Sequence, residues 1–261
     1  MSREADLSEG AEPTVRFVPL SELASALHSL GAYGAYARYL LRSSPDAEVP
    51  VASDDSGVSF AVSGMAIGHP EVQFAWLFGA PGPGQRAVLG FLRDKLRPLF
   101  VYARQGQRPS VEAVFPDHKL AVDHLLQHTG EVAPVDADVV WFNHENVASL
   151  TFADCVSERF PPLEFWESVG FCYAGLREGG RVVAALDYTV DDGRYAAIQA
   201  VFTDPELRGR GLGRALLSAV IHGLHAQSKI PLYVVSQDNA ASIALAEGVG
   251  FERVERLLVL E

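Results

Sequence analysis

The sequence predicts an α+β fold built as two similar units in tandem, and three observations predict it. First, strand-like apolar runs alternate with amphipathic helical stretches through both halves of the 261 residues. Second, pieces of the first half reappear in the second. Arg97-Pro98-Leu99-Phe100-Val101 echoes Ile230-Pro231-Leu232-Tyr233-Val234, Phe74 to Phe78 echoes Ile198 to Phe202, and Thr129-Gly130-Glu131-Val132 echoes Val249-Gly250-Phe251-Glu252. The offsets of 133, 124 and 120 residues imply insertions within the repeat. Third, residues 208–214 read Arg-Gly-Arg-Gly-Leu-Gly-Arg, between an apolar run ending at Phe202 and an amphipathic segment starting near Leu212.

Taken in order, residues 1–13 are polar and without periodicity, which predicts a loose tail. Ser21 is a candidate helix cap, followed by Leu23, Leu27, Leu30, Tyr33 and Leu40 near helical spacing. Strands are predicted over 58–66 and 73–78, then a Gly/Pro turn over 79–84, a helix over 87–96 and a strand over 99–103. A helix is predicted over 117–128, ending at Gly130. The second half opens with a strand over 137–142 and helices over 146–160, broken at Pro161-Pro162. A hairpin follows, 171–177 and 182–188 around Glu178-Gly179-Gly180, and then a strand over 195–202. Leu212, Leu216, Leu217, Val220, Ile221 and Leu224 form one apolar helical face. A strand over 232–235, a helix over 239–249 and a strand over 253–260 complete the pattern.

Composition narrows the class. An apolar share of 48% is that of a chain that buries a core. The net charge of −12 argues against nucleic acid and anionic membrane surfaces as partners. Residues 1–135 carry −4 and residues 136–261 carry −8, so the half with the arginine loop is the more acidic one. A negative field suits a cationic amine, and equally suits solubility. No apolar signal region opens the chain, no run of 18 apolar residues occurs, and only Cys155 and Cys172 are present. These features predict a cytoplasmic protein without a disulfide framework.

The arginine loop carries the chemistry. Three glycines in five positions leave backbone N–H groups uncovered, a helix starts directly behind them, and three arginines flank them. That combination is a receptor for phosphate oxygens. No Gly-Lys-Ser/Thr follows, and the glycine spacing does not suit a dinucleotide fingerprint. The first-half counterpart, Gly79-Ala80-Pro81-Gly82-Pro83-Gly84, has two prolines without N–H and no arginine until Arg86, so it predicts little phosphate binding.

The spacing Arg208-x-x-Gly211-x-Gly213 after Thr203-Asp204-Pro205 resembles the acyl-CoA pyrophosphate loop of the GNAT superfamily of N-acyltransferases. Asn239, 26 residues past Gly213, and Val249-Gly250-Phe251 are in register with that family's later stretch. The resemblance covers roughly residues 136–261. It implies a mixed, mostly antiparallel central sheet flanked by helices. It also implies acetyl-CoA as co-substrate, with no metal. The domains expected are a tail over 1–13, a degenerate GNAT-like unit over 14–134 and a catalytic unit over 135–261. The pantetheine would lie against the main chain of Val201, Phe202 and Thr203. The pyrophosphate would sit on Arg208, Gly209, Arg210, Gly211, Leu212, Gly213 and Arg214, with Asn239 as cofactor contact or helix cap, two compatible roles. The oxyanion would face a backbone N–H near Val201.

The sequence departs from the family at the proton-transfer positions. The tyrosine expected seven residues after the Asn is Ala246, and the strand over 195–200 has no carboxylate. Tyr233, Ser236 and Tyr188 are substitutes for the acid by residue type, with Tyr233 put forward. Asp187 is put forward as the base, ahead of His144 and Glu145. His124 and His128 stand one turn apart on the predicted helix, and no further ligand cluster supports a metal. The predicted reaction is attack of a primary amine of a small molecule or peptide on acetyl-CoA, with a homodimer as the assembly to test. The missing tyrosine and carboxylate keep a non-catalytic acyl-CoA binding or sensing module open, and a pure interaction scaffold behind it.

Overall fold

The computed structural model describes residues 13–66, 69–95, 99–157, 167, 170–191 and 193–260. Residues 1–12 of the expected tail and 158–160 of the expected helices lie outside the described residues; within 146–157 the chain forms a single turn over Val147–Ser149 and a short helix over Asp154–Ser157.

Two runs of elements follow one another in the same order. The first comprises β1 (Arg16–Pro19), α1 (Ala24–Ser29), α2 (Gly31–Ser43), β2 (Glu48–Asp54), β3 (Gly57–Ala66), β4 (His69–Phe78), α3 (Pro83–Lys95), β5 (Leu99–Arg104), α4 (Arg108–Val114) and β6 (Leu120–Gln127). The second comprises β7 (Val139–Phe142), α5 (Asp154–Ser157), β8 (Phe171–Glu178), β9 (Arg181–Val190), β10 (Tyr195–Thr203), α6 (Leu212–Ala226), β11 (Ile230–Ser236), α7 (Ala240–Val249) and β12 (Glu252–Leu260). The first two sequence echoes keep register. Phe74 pairs with Phe100 in the parallel β4–β5 ladder as Ile198 pairs with Tyr233 in the parallel β10–β11 ladder. The third echo does not hold, because Gly130 follows β6 whereas Gly250 precedes β12.

All twelve strands join one sheet in the order β1-β2-β3-β4-β5-β12-β6-β11-β10-β9-β8-β7. The last strand of each run is exchanged. β6 leaves the first run to pair with β11, and β12 leaves the second to pair with β5. The two meet antiparallel at the centre, with Leu258 opposite Val122. Residues 117–128 are therefore not a helix. A short apolar run fits either period, and a position between β12 on one side and β11 on the other decides for extended backbone. Leu125 and Leu126 are fully buried on opposite faces. The strands over 16–19 and 48–54 were not foreseen; β1 is a short edge, and the apolar run of β2 sits in a polar setting.

Helices cover both faces. Leu216, Leu217, Val220, Ile221 and Leu224 of α6 and Ile243 and Ala246 of α7 pack on Leu186, Tyr188, Ile198 and Tyr233. Val88, Leu89 and Leu92 of α3 pack with Leu258 and Leu260 on that same face of the sheet. Each such aliphatic side chain contributes roughly 1.5–3 kcal/mol on burial. The opposite face holds α1 and α2, with Leu27, Tyr33 and Tyr36 against Phe60, Trp76, Leu125, Ala197, Leu232 and Leu257. Ser21 lies inside the single turn Leu20–Leu23 and caps nothing with its side chain.

α2 reaches across to the second run. Arg38 Nε donates to Asp191 Oδ2 at 2.8 Å, and its Nη1 donates to Leu27 O at 2.6 Å. Asp191 Oδ1 accepts from Gly193 N and Tyr195 N, so both charges are buried yet bonded. This cluster ties the first run to the foot of β10.

Candidate functional site

The site grows out of a divergence between two parallel strands. β10 pairs with β11 only from Tyr195 opposite Ile230 to Ile198 opposite Tyr233, although β10 runs on to Thr203 and β11 to Ser236. β10 also bulges against β9 between Ile198 and Ala200. The strands thus open towards the arginine loop, and a cleft of about 510 Å³ lies between the end of β10, that loop and the start of α7.

The loop continues from β10. Asp204 Oδ1 accepts from Glu206 N at 3.0 Å and caps the turn Pro205–Leu207. Gly209 and Gly211 follow with φ of 77° and 81°, in the left-handed region that favours glycine. Nothing lies within 4 Å of a Cβ placed on either one, so the backbone angle and not crowding calls for glycine. At Gly213 crowding does, since a Cβ would stand 2.9 Å from Thr203 Oγ1. Gly211 caps α6 without a side-chain hydrogen bond. The first amides of α6 therefore face the cleft unshielded, at the positive end of a 15-residue helix.

The sequence-predicted residues mostly converge here. Val201, Phe202, Thr203, Arg208, Gly209, Gly211, Leu212, Gly213, Arg214 and Asn239 line the cleft. Arg208 Nε donates to Thr203 O at 3.2 Å, and Arg214 donates to Gly248 O. Arg210 departs from the group. It turns outward and forms a two-pronged pair with Glu178 in the β8–β9 turn, at 2.9 and 2.6 Å. Asn239 is the N-cap of α7, its Oδ1 accepting from Ser242 N at 3.1 Å. Leu207, Ala241, Ser242 and Leu245 also line the cleft and were missed. Ser242 had one available signal, its place three residues after a capping Asn, where the backbone turns back towards the cap.

Two buried ionisable groups stand at the divergence on opposite faces of the sheet. Tyr233 faces α7 in the cluster that also holds the fully buried Ala246. Burial pushes its phenol up, offset by a hydrogen bond with the Ser242 side chain. Asp187 lies between Leu186 and Tyr188, which face α6, so its carboxyl points to the other face. It stands opposite Tyr173 on β8 and Ala200, just past the bulge on β10. It is 6% exposed, and its Oδ2 has no hydrogen-bond partner among the described residues. Burial raises its pKa from 3.8 to about 7, with backbone hydrogen bonds at Asp187 and Ala200 opposing the rise.

His144 is bound through its backbone N and its ring to Glu167, and it stays at the surface. His124 and His128 lie on and just beyond the strand β6, which spaces them by about 13 Å rather than one helical turn. His128 is hydrogen-bonded to His225 at 2.8 Å and to Val249 O at 3.1 Å. Among the described residues no three His, Cys, Asp or Glu side chains are grouped to hold a metal, and no helix is long and apolar enough to cross a membrane.

The equivalent place in the first run is filled. Tyr33 Oη donates to Leu77 O at 2.7 Å, and Gln107 Nε2 donates to Gly79 O at 2.9 Å. Asp54 Oδ2 accepts from Gly84 N at 2.6 Å at the start of α3, placing a carboxylate at the first-run counterpart of the arginine loop.

Comparison with known proteins accords with this geometry. The sequence profile of the Acetyltransferase (GNAT) family matches residues 141–251. A mycothiol acetyltransferase of Kocuria rhizophila is 45% identical over 65 residues, 24% of this chain and 21% of that protein. An uncharacterized protein of Mycobacterium leprae is 26% identical over 219 residues, 77% of this chain and 54% of that protein. The chain thus spans about half the length, or less, of these curated relatives. A GCN5-related N-acetyltransferase from Sphaerobacter thermophilus superposes with a TM-score of 0.61 at 17% identity, over 96% of this chain and 95% of that one. A tandem GNAT protein from the clavulanic acid biosynthesis pathway gives 0.60 at 18% identity, over 95% and 98%. At such identities the structural likeness speaks for the fold. The chain thus has a GNAT fold built as two tandem units, and the family profile itself matches residues 141–251, within the second of them.

Proposed function

We propose that the chain transfers an acetyl group from acetyl-CoA to a primary amine of a small molecule or peptide. The observation that carries the proposal is the cleft between the diverging end of β10 and the start of α7, closed at one end by the unshielded amides of α6 and two arginines. Those amides and Arg208 and Arg214 suit a pyrophosphate. The unpaired edges of Val201, Phe202 and Thr203 suit the amide-bearing pantetheine arm, in the manner of an added strand. Asn239 holds the α7 end that forms the far wall. The relative named a mycothiol acetyltransferase supports acetyl as the group moved, and a buried carboxyl able to take up a proton suits an amine acceptor.

The reaction needs one proton removed and one delivered. The amine attacks the thioester carbonyl in its neutral form, having left its ammonium proton in water, and Asp187, with a pKa near 7, accepts the proton that the nitrogen sheds once bonded to that carbon. The oxyanion forms beside the backbone N–H groups past the β10 bulge. Collapse of the intermediate breaks the C–S bond, and Tyr233, hydrogen-bonded with Ser242, is the group proposed to protonate the leaving thiolate. Residues 14–134 act as a degenerate unit whose cleft is occupied by Tyr33, Gln107 and Asp54, so one CoA binds per chain. Residues 135–261 are the catalytic unit, and a reducing cytoplasm suits its two thiols. Incubation with acetyl-CoA and a panel of amines, following free thiol, tests the proposal. CoA binding without turnover on any amine would favour the sensing module instead.

A further inference from the structure

We propose that Arg210 reads the 3′-phosphate of the donor and that Glu178 holds this arginine aside until the donor arrives. The inference rests on the acyl-CoA reading above. The three loop arginines are not equivalent. Arg208 and Arg214 line the cleft and donate to carbonyl oxygens, so no carboxylate neutralises them there. Arg210 sits between the two left-handed glycines at the mouth, and its guanidinium is matched to a carboxylate by both prongs.

The Arg210–Glu178 pair is exposed, with the two side chains 51% and 39% accessible. Exposed pairs are weakly held and screened by salt, so the arginine exchanges partners readily. A phosphomonoester carries more charge than a carboxylate and presents oxygens to the same planar fork. The α6 amides with Arg208 and Arg214 account for the pyrophosphate. CoA carries a further phosphate on its ribose, beyond the pyrophosphate, and Arg210 is the exposed loop arginine that the cleft lining does not use. Glu178 belongs to the β8–β9 turn, outside the cleft lining, and its charge opposes an approaching polyanion until Arg210 leaves it.

Calorimetric titration with CoA and with 3′-dephospho-CoA tests the assignment without an acceptor. The wild type is expected to bind CoA about tenfold more tightly than 3′-dephospho-CoA, the scale of one good charge-assisted contact. Arg210→Gln should bring CoA to the level of 3′-dephospho-CoA and leave the latter unchanged. Glu178→Gln should tighten CoA about threefold with no effect on 3′-dephospho-CoA, because the competitor has gone. If Glu178→Gln weakens both ligands alike, the pair is a structural clamp on the loop and the assignment is overturned. Equal wild-type affinity for the two ligands overturns it as well, while leaving the acyl-CoA cleft intact. Failure of the wild type to bind either ligand would remove both readings.

Discussion

Replacing Asp187 by Asn separates stability from catalysis, and the structure sets the size of the effect. Burial raises the pKa of this carboxyl from 3.8 to about 7. The folded chain therefore holds the proton more tightly than the unfolded chain does. Stability contributed by the group is full below pH 3.8 and is lost as the pH rises to about 7. With each tenfold change in proton affinity being about 1.36 kcal/mol, the cost above pH 7 approaches roughly 4 kcal/mol. The replacement amide carries no charge to desolvate. The Asp187→Asn variant should therefore melt above the wild type at pH 8, by on the order of 10 °C for a chain of this size. Near pH 4 the cost falls below about 1 kcal/mol, and the two melting curves should nearly coincide. The same variant should lose about 10²–10⁴ in kcat/KM for acetyl transfer, whose wild-type profile should rise through an apparent pKa near 7. Thermal melts at pH 4 to 8, paired with thiol-release kinetics, check both parts. A melting difference that does not change with pH would refute the burial argument, and a variant with wild-type rates would remove Asp187 from the chemistry.

Three further outcomes are expected. Gly211→Glu places a carboxylate in the seat of the pyrophosphate and strains a left-handed position, so calorimetry should show CoA affinity reduced at least about 100-fold. Arg38→Met leaves the buried Asp191 without its cation and should cost about 3–5 kcal/mol, read as a lowered urea midpoint with the slope unchanged. Fragments 1–134 and 135–261 should each fail to give a folded monomer by circular dichroism and gel filtration, while co-expression restores the whole, because each needs the other's last strand.

The loop end of the cleft was legible in the sequence because it is local. Glycines at 209 and 211 with left-handed angles and a helix starting at Leu212 occupy contiguous positions, and their consequences do not depend on distant partners. The tandem repeat was legible for the same reason, in the strand echoes at 74–78 and 99–103. Legibility failed at residues 117–128. Their apolar pattern fits a helix, and only the pairing of β6 with β11 and β12, from far along the chain, makes them a strand. The metal geometry imagined for His124 and His128 fell with that helix.

Sequence alone determined that a glycine- and arginine-rich loop precedes an amphipathic helix, that only the second of two similar units has it, and that Ala246 stands where an acid is expected. Tertiary structure alone decided which side chains share an environment. The exchange of β6 and β12 joins the units into one sheet. Asp187 owes its pKa to the strands and helices that exclude water from it. The outward turn of Arg210 depends on Glu178, 32 residues away. Backbone angles and helix ends follow from neighbouring residues, whereas burial and pairing depend on where the remainder of the chain lies.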